Sequence, residues 1–465
     1  MEKNTSNTEL AYNNRRVWLR ALTASLGYFI FGFVLGNFTS SQECMASILG
    51  WGDNKDIMIV IISTLVPVGA FVGSILTGFM SKASGKRKNI MITDILTIIS
   101  SLIILYPHTI TFAIGRFTSG LCVGNFSILC SQYITEVTPK EIRAKFGNVN
   151  QLLTVIGIFM AFAICLPLPT SNCSESIAFY VPLLFALPGI IAGIQFLMLL
   201  KIFKNESPEW LLYNKSINTT YKAISSIYAK EQAEKIMTEL VSFKTSNTIG
   251  KTSGFTFIQL LKCAPGSTKS MRVASLYHIA SQLTGVTALL SYLTRLFIEF
   301  GIDVFLSRCL ITGITFIRII SILLFLPHVA KFGRKSITVF SEAIMSFCML
   351  ILGIFIVFNI EPLVSVLIIT IYLIVFNLSV GPIVWIYSSE VLCDKGMALC
   401  TSINWFICIF VVLFYPVLVK TIGMEYSFLG ICVLDGVAAI YFYFDMVETK
   451  NLSKPEIREI YSKLR

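Results

Sequence analysis

The chain is short of charge. Only 14% of its 465 residues are Asp, Glu, Lys or Arg, while 55% are hydrophobic. A soluble domain carries about 25% charged residues, so a water-solvated exterior does not fit. Paired cysteines are missing too. The 12 cysteines are scattered with no C-x2-C pair, which suggests neither a metal site nor a disulfide framework. Cys44 and Cys173 fall in expected outer loops and are read as unpaired thiols, with a disulfide between them as the alternative, and Asn172-Cys173-Ser174 is a glycosylation sequon. No nucleophile–base pair, metal-ligand spacing or cofactor motif is found, so an enzyme is not expected. A cleavable leader is not indicated, because the first apolar run is too long and wrongly flanked for one.

What fills the chain instead is apolar runs of about twenty residues, enough to span a bilayer as helices. Mean hydropathy is +0.76. The expected fold class is an all-α polytopic membrane protein. Spans are expected at 17–38, 57–80, 89–107, 112–134, 147–167 and 179–203. A second set follows at 273–297, 306–329, 336–358, 363–389, 399–420 and 427–446. This divides the chain into an arm (1–16), a six-helix bundle (17–204), a linker (205–271), a second bundle (272–446) and a tail (447–465). A helical stretch is expected within the linker near Thr219–Phe243.

The net charge of +11 need not mean a nucleic-acid partner, because its distribution follows topology. Lysine and arginine crowd the arm, the linker, the tail and alternate loops. The exceptions are Lys55, Arg116, Arg295, Arg308, Arg318 and Lys420. By the positive-inside bias both termini are cytosolic, and the bilayer is the expected partner.

The densest motif runs from Gly115 to Gln151: GRFTSGLCVGNFSILCSQYITEVTPKEIRAKFGNVNQ. Gly120 and Gly124 lie one turn apart, which lets another backbone approach closely. Glu136 and Arg143 flank a charged turn and can pair across it. The order of residues resembles the sugar porter branch of the major facilitator superfamily, with its G-R-x3-G-x3-G, Y-x2-E-x2-P, R-G and Q pattern. One glycine is replaced, by Ala144. Glu206-Ser207-Pro208-Glu209-Trp210-Leu211 resembles the signature after helix 6, and Val447-Glu448-Thr449-Lys450 the one after helix 12. Gly85-Lys86-Arg87 and Gly333-Arg334-Lys335 echo each other, as do Glu136 and Glu390 at span ends, which suggests an internal duplication. The resemblance implies two pseudo-symmetric six-helix bundles. It also implies a cytosolic latch of Arg87, Glu136, Arg143, Glu206, Arg334, Glu390 and Glu448, in which Glu136, Arg143, Arg334 and Glu390 pair across that face when the carrier opens outward.

Candidate substrate contacts follow from the same resemblance. Ser281-Gln282-Leu283-Thr284-Gly285-Val286-Thr287 is similar to Q-Q-x-S/T-G-x-N, Gly381-Pro382-Ile383-Val384-Trp385 to G-P-x-x-W, and Asn404-Trp405 to N-W. Amides satisfy sugar hydroxyls in both directions, and an indole stacks on the ring face. Gln151, Gln282, Asn377, Trp385, Asn404 and Trp405 supply these groups. Gly381 and Pro382 are read as a hinge, because Pro382 cannot donate to the preceding turn. Ser281 and Thr287 stand where the family has amides, and Arg318 aligns with a family asparagine. Phe31-Gly32-Phe33-Val34-Leu35-Gly36 resembles F-G-Y-D-x-G, with Val34 where proton-coupled symporters carry aspartate. No carboxylate falls mid-span on the expected lining helices (1, 4, 5, 7, 10 and 11); Asp435 lies on the peripheral twelfth.

The reading is an alternating-access carrier, a facilitative uniporter of a hexose or related polyol, in the plasma membrane. Three alternatives share these residues. One is a carrier of a small organic anion held by Arg318, one a proton-coupled sugar symporter, and one a sugar sensor that does not transport.

Overall fold

The computed structural model describes residues 12–169, 180–249, 268–326, 331–358, 362–450 and 454–463, with His328 and Leu452. The first half comprises α1 (Asn14–Ile48), α2 (Lys55–Ser84), α3 (Lys86–Ile104), α4 (Thr109–Val137), α5 (Lys140–Cys165) and α6 (Tyr180–Lys201). Three short helices follow: α7 (Pro208–Asn214), α8 (Ile217–Ser225) and α9 (Lys230–Ile249). The second half comprises α10 (Thr268–Leu283), α11 (Val286–Glu299), α12 (Val304–Phe325), α13 (Arg334–Val357), α14 (Pro362–Leu378), α15 (Val380–Val391), α16 (Asp394–Ile422) and α17 (Met424–Asp445). The tail ends in α18 (Lys454–Lys463).

Among the described residues, eleven spans are long and apolar enough to cross a membrane, counting α10–α11 and α14–α15 as one each. The remaining transmembrane candidate is α3, whose start is basic and which carries Asp94. The rings of Phe340, Phe347 and Phe444 are exposed on the outer surface, where water would make them an aggregation liability and lipid does not.

Lipid tails give no hydrophobic drive for one helix to meet another, so close backbone packing has to. A Cβ built at Gly120 would overlap the Val66 carbonyl oxygen, and one at Gly124 that of Ala70. Gly69 and Gly73 of α2 meet the carbonyls of Phe117 and Leu121 in the same way. Two glycine pairs thus seat α2 against α4 backbone to backbone. Polar side chains then stitch the layer. Thr77 donates to Asn125 (2.7 Å), whose amide donates to Thr93 (3.3 Å), joining α2, α4 and α3.

The halves meet along α2 against α16 and α5 against α12. These are the second and eleventh, and the fifth and eighth, spans. A shift of six spans exchanges the two contacts, as duplication requires.

Two spans are broken: the seventh, expected to be continuous, and the tenth, where a hinge was expected. The seventh stops at Leu283 and restarts at Val286, with Gly285 at φ +77°, a left-handed conformation that glycine adopts without strain. Tyr372 donates to the freed Thr284 carbonyl at 2.5 Å. The tenth breaks at Ser379 (φ −132°, ψ −92°), just before the expected hinge of Gly381 and Pro382. The proline ring clashes with the carbonyl four residues back, and α14 ends at that residue, Leu378.

Two further expectations are corrected. The linker carries three helices rather than one, because Leu212, Ile224, Ala233 and Met237 form a small core that needs all three. Cys44 is disulfide-bonded rather than free, with a partner outside the described residues. Cys173 and the sequon also lie outside them.

Gly124→Leu is expected to cost at least about 1–3 kcal/mol through overpacking. It should lower the Tm of the detergent-purified protein. Gly193→Leu, at a site with nothing within 4 Å, should leave it unchanged. Equal behaviour of the two would show that the α2–α4 approach is not what Gly124 provides.

Candidate functional site

A small cavity lies between the halves. The first half contributes Tyr28, Ser131, Thr135, Asn150 and Gln151, and the second Pro382, Trp385, Ser389 and Glu390. Its floor is built by the break in the tenth span. Restarting at Val380, α15 turns Trp385 toward the space beside α5. Gly381 lets α5 come close: a Cβ there would sit 3.1 Å from Gln151 Nε2.

Two polar networks flank this floor. In one, Asn377 Oδ1 accepts from Gln151 Nε2 at 3.0 Å and from Arg318 Nη2 at 2.9 Å. It joins α5, α14 and α12 and crosses between the halves. Arg318 is wholly buried, yet its Nε and Nη1 have no hydrogen-bond partner among the described residues. Its partner is therefore a carboxamide oxygen, and Arg318 is not among the cavity-lining residues.

In the other network, Gln282 Nε2 donates to Asn404 Oδ1 at 3.0 Å and Gln282 Oε1 accepts from Thr287 at 2.9 Å. Asn404 Nδ2 donates in turn to Ser281 Oγ (3.1 Å) and to the His278 carbonyl (3.0 Å). The break at Gly285 lets Thr287 fold back onto Gln282. So Ser281 and Thr287, which replace amides of the family pattern, hold the remaining amides in place.

Trp405 stands apart. It is buried, packs edge-on against Phe31 of α1 with ring centroids 5.6 Å apart, and its Nε1 has no partner among the described residues. It wedges the halves together and is not among the cavity-lining residues.

His278 was not singled out from sequence. It is buried, hydrogen-bonded to Ser388 at 3.0 Å and edge-on to Trp385 at 5.2 Å, so it backs the cavity's indole. Its visible signal was a histidine inside an apolar span. Asp94 and Glu342 were missed as well. Both are fully buried, on α3 and α13, at the same offset from Gly85 and Gly333. Neither lines the cavity.

The latch residues gather on the face that bears the termini. Glu206 accepts from the backbone amides of Arg87 (2.7 Å) and Lys88 (3.3 Å). Glu448 does the same for Arg334 (2.8 Å) and Lys335 (3.1 Å). Each carboxylate caps a helix N-terminus, where free N–H groups and the helix dipole favour it. Glu136 pairs with Lys86, and Glu390 with Arg334 at 2.9 Å. Glu390 also accepts from Thr449 at 2.7 Å, and Arg87 caps α6 through Phe203 O at 2.6 Å.

All these pairs lie within one half, whereas pairing across the face was expected. The reason is local. Lys86 and Arg334 open the helices that stand beside the ends of α4 and α15, so each carboxylate meets its own half's base first. The side chain of Arg143 lies outside the described residues. On the opposite face the halves are tied directly, by Arg295 to Asp56 and by Arg308 to Leu168 O at 2.7 Å.

Comparison with known proteins agrees with this architecture. A family model described as sugar (and other) transporter matches residues 20–461. The chain is 26% identical over 446 residues to the plastidic glucose transporter 4 of Arabidopsis thaliana, covering 93% of this chain and 78% of that one. It is 27% identical over 418 residues to the arabinose-proton symporter of Bacillus subtilis, covering 87% and 86%. Among solved structures, the major facilitator superfamily proton:xylose symporter XylE bound to 6-bromo-6-deoxy-D-glucose superposes with a TM-score of 0.87. There the identity is 21%, covering 97% of this chain and 100% of that one.

Glu390→Gln weakens the acceptor that holds both Arg334 and Thr449. It is expected to slow substrate exchange severalfold while leaving the inhibition constant of a bound sugar nearly unchanged. Wild-type exchange rates in both Glu390→Gln and Glu136→Gln would count against any part for these pairs in the transport cycle.

Proposed function

The chain belongs to the sugar (and other) transporter family, and from that premise we propose that it is a facilitative carrier of a neutral hexose or related polyol. It is a polytopic membrane transporter, not an enzyme. The curated relatives include one named for glucose and one named as an arabinose-proton symporter, so family membership leaves the coupling mode open.

The observation that carries the facilitative reading is the setting of Arg116. This buried arginine of α4 faces α1 at Val34, where proton symporters carry aspartate. Its Nη1 donates to the Val34 carbonyl and to Asn37 Oδ1, both at 3.0 Å. Neither group takes up or releases a proton, so α1 offers the cation dipoles and no exchangeable site. The neutral-substrate reading rests on the cavity lining. Asn150, Gln151, Ser131, Ser389 and Trp385 give it amide, hydroxyl and indole groups, its carboxylate, Glu390, is paired with Arg334, and Arg318 is engaged by Asn377. Alternating access follows from a site at the junction of the halves, which can open to one face at a time. We place both termini in the cytosol, from the basic bias of the loops.

Purified protein in liposomes should equilibrate labelled hexose without concentrating it, and a protonophore should leave initial uptake intact. Accumulation well above the outside concentration that collapses with protonophore would replace the uniporter with a symporter. Uptake of a sugar acid in place of any neutral sugar would replace the substrate class.

A further inference from the structure

We propose that Arg318 acts as a positioning residue. Through Asn377 it fixes which end of the Gln151 carboxamide faces the cavity, so that this contact selects a substrate hydroxyl that donates. The inference rests on the neutral-sugar reading above and adds a rule of recognition to it.

The argument is one of donors and acceptors. A guanidinium has five N–H donors and no acceptor. Arg318 Nη2 sits 2.9 Å from Asn377, so Asn377 must turn its oxygen toward it. Which way a carboxamide points is usually an assignment rather than an observation. Here a donor-only neighbour decides it. The same oxygen lies 3.0 Å from Gln151, so Gln151 must present its NH2 end there. Its Oε1 is then left over. Gln151 lines the cavity, and no hydrogen bond to Oε1 is found among the described residues. A group that meets Oε1 has to bring a proton.

Nothing nearby reverses this polarity. Within the Gln151–Asn377–Arg318 network, the buried atoms without a partner among the described residues are Arg318 Nε, Arg318 Nη1 and Asn377 Nδ2, all donors. No acceptor among them competes for the Gln151 amide. The family's asparagine at position 318 would behave otherwise. A neutral amide offers both ends, so the chain of amides could run in either direction and Gln151 could accept from or donate to a sugar. Arg318 removes that freedom. Its burial without a carboxylate partner is costly in a membrane, and a fixed polarity is what the arrangement provides in return.

The test uses the full chain in proteoliposomes and a panel of hexoses with each hydroxyl in turn replaced by fluorine. Fluorine accepts weakly and cannot donate. Inhibition of labelled hexose exchange gives a ratio of constants, fluoro analogue over parent, that does not depend on the amount of protein. In the wild type, one position should show a ratio of about three to ten, the loss of one hydrogen bond. Arg318→Asn should bring that ratio to within about twofold of one, because Gln151 can then turn its NH2 to the fluorine. Asn377→Asp, which offers Gln151 only acceptors, should keep the wild-type ratio.

The same penalty in Arg318→Asn as in the wild type would overturn the proposal. So would loss of the penalty in Asn377→Asp. Should Arg318→Asn fail to reconstitute, Arg318→Gln, also a donor and acceptor, and Asn377→Asp decide in the same terms. Absence of inhibition by any parent hexose in the wild type would overturn the sugar reading and this inference with it. A merely structural arginine would weaken all analogues together and leave the ratio unmoved.

Discussion

A polar group carried into the bilayer must find its partner inside the protein, and this demand shapes both the scaffold and the cavity. Threonine and serine hydroxyls turn back on their own helices, as Thr93 does to Asn89 O at 2.8 Å and Thr315 to Ile311 O at 2.8 Å. Longer groups reach across. Gln195 donates to the carbonyls of Thr23 (3.0 Å) and Ala24 (3.2 Å), tying α6 to α1. Arg116 uses a main-chain carbonyl and Asn37. A broken helix is tolerated on the same terms: the seventh span gives up its continuity at Gly285, and Tyr372 takes the exposed carbonyl of Thr284. The breaks are useful because they free the chain from helical spacing. Thr287 can then fold against Gln282 from beyond the break, and Trp385 can enter the cavity from a helix that has just restarted.

The scaffold was legible where a short-range rule produced it. Apolar run length located the spans. The spacing of Gly120 and Gly124 announced a close helix contact, which proved to be with α2 and its own pair, Gly69 and Gly73. Pro382 announced an interruption, and its clash with Leu378 sets the end of α14. The repeated basic turns after the second and eighth spans pointed to duplication.

What stayed hidden depends on distances between spans far apart in sequence. Arg318 stood out as an unusual residue, but its partner Asn377 could not be read, because that pairing depends on how α12 and α14 pack. The latch pairs form within halves for the same reason. Sequence places Glu136 and Glu390 at span ends and says nothing of which base stands closest. Trp405 was grouped with the sugar contacts by its neighbour Asn404. One residue along a helix is a turn of about 100°, and that rotation carries Trp405 from the side where Asn404 meets Gln282 to the junction with Phe31. Cys44 was read as free because a disulfide pairing is not deducible from two distant cysteines.

Duplication also explains which features are paired and which are not. The carboxylate caps come in two copies, Glu206 on α3 and Glu448 on α13, and so do the ion pairs Lys86–Glu136 and Arg334–Glu390. Both sets sit on the face that bears the termini, where each half must hold its own helix ends whatever the other half does. A device that preserves the shape of each half is compatible with rigid-body rocking between them. The candidate binding chemistry has no such symmetry. Gln282, Asn377, Trp385, Asn404 and Arg318 all come from the second half, and Gln151 answers from the first. The first-half counterpart of the polar seventh span is α1, apolar around Phe31 and Val34. The cavity itself draws on both halves, with Tyr28, Ser131, Thr135, Asn150 and Gln151 from the first and Pro382, Trp385, Ser389 and Glu390 from the second, and Gln151 is bonded across the junction to Asn377. The caps and ion pairs repeat because each half must hold its own helix ends, whereas the amide networks of the second half are not matched around Phe31 and Val34 of α1.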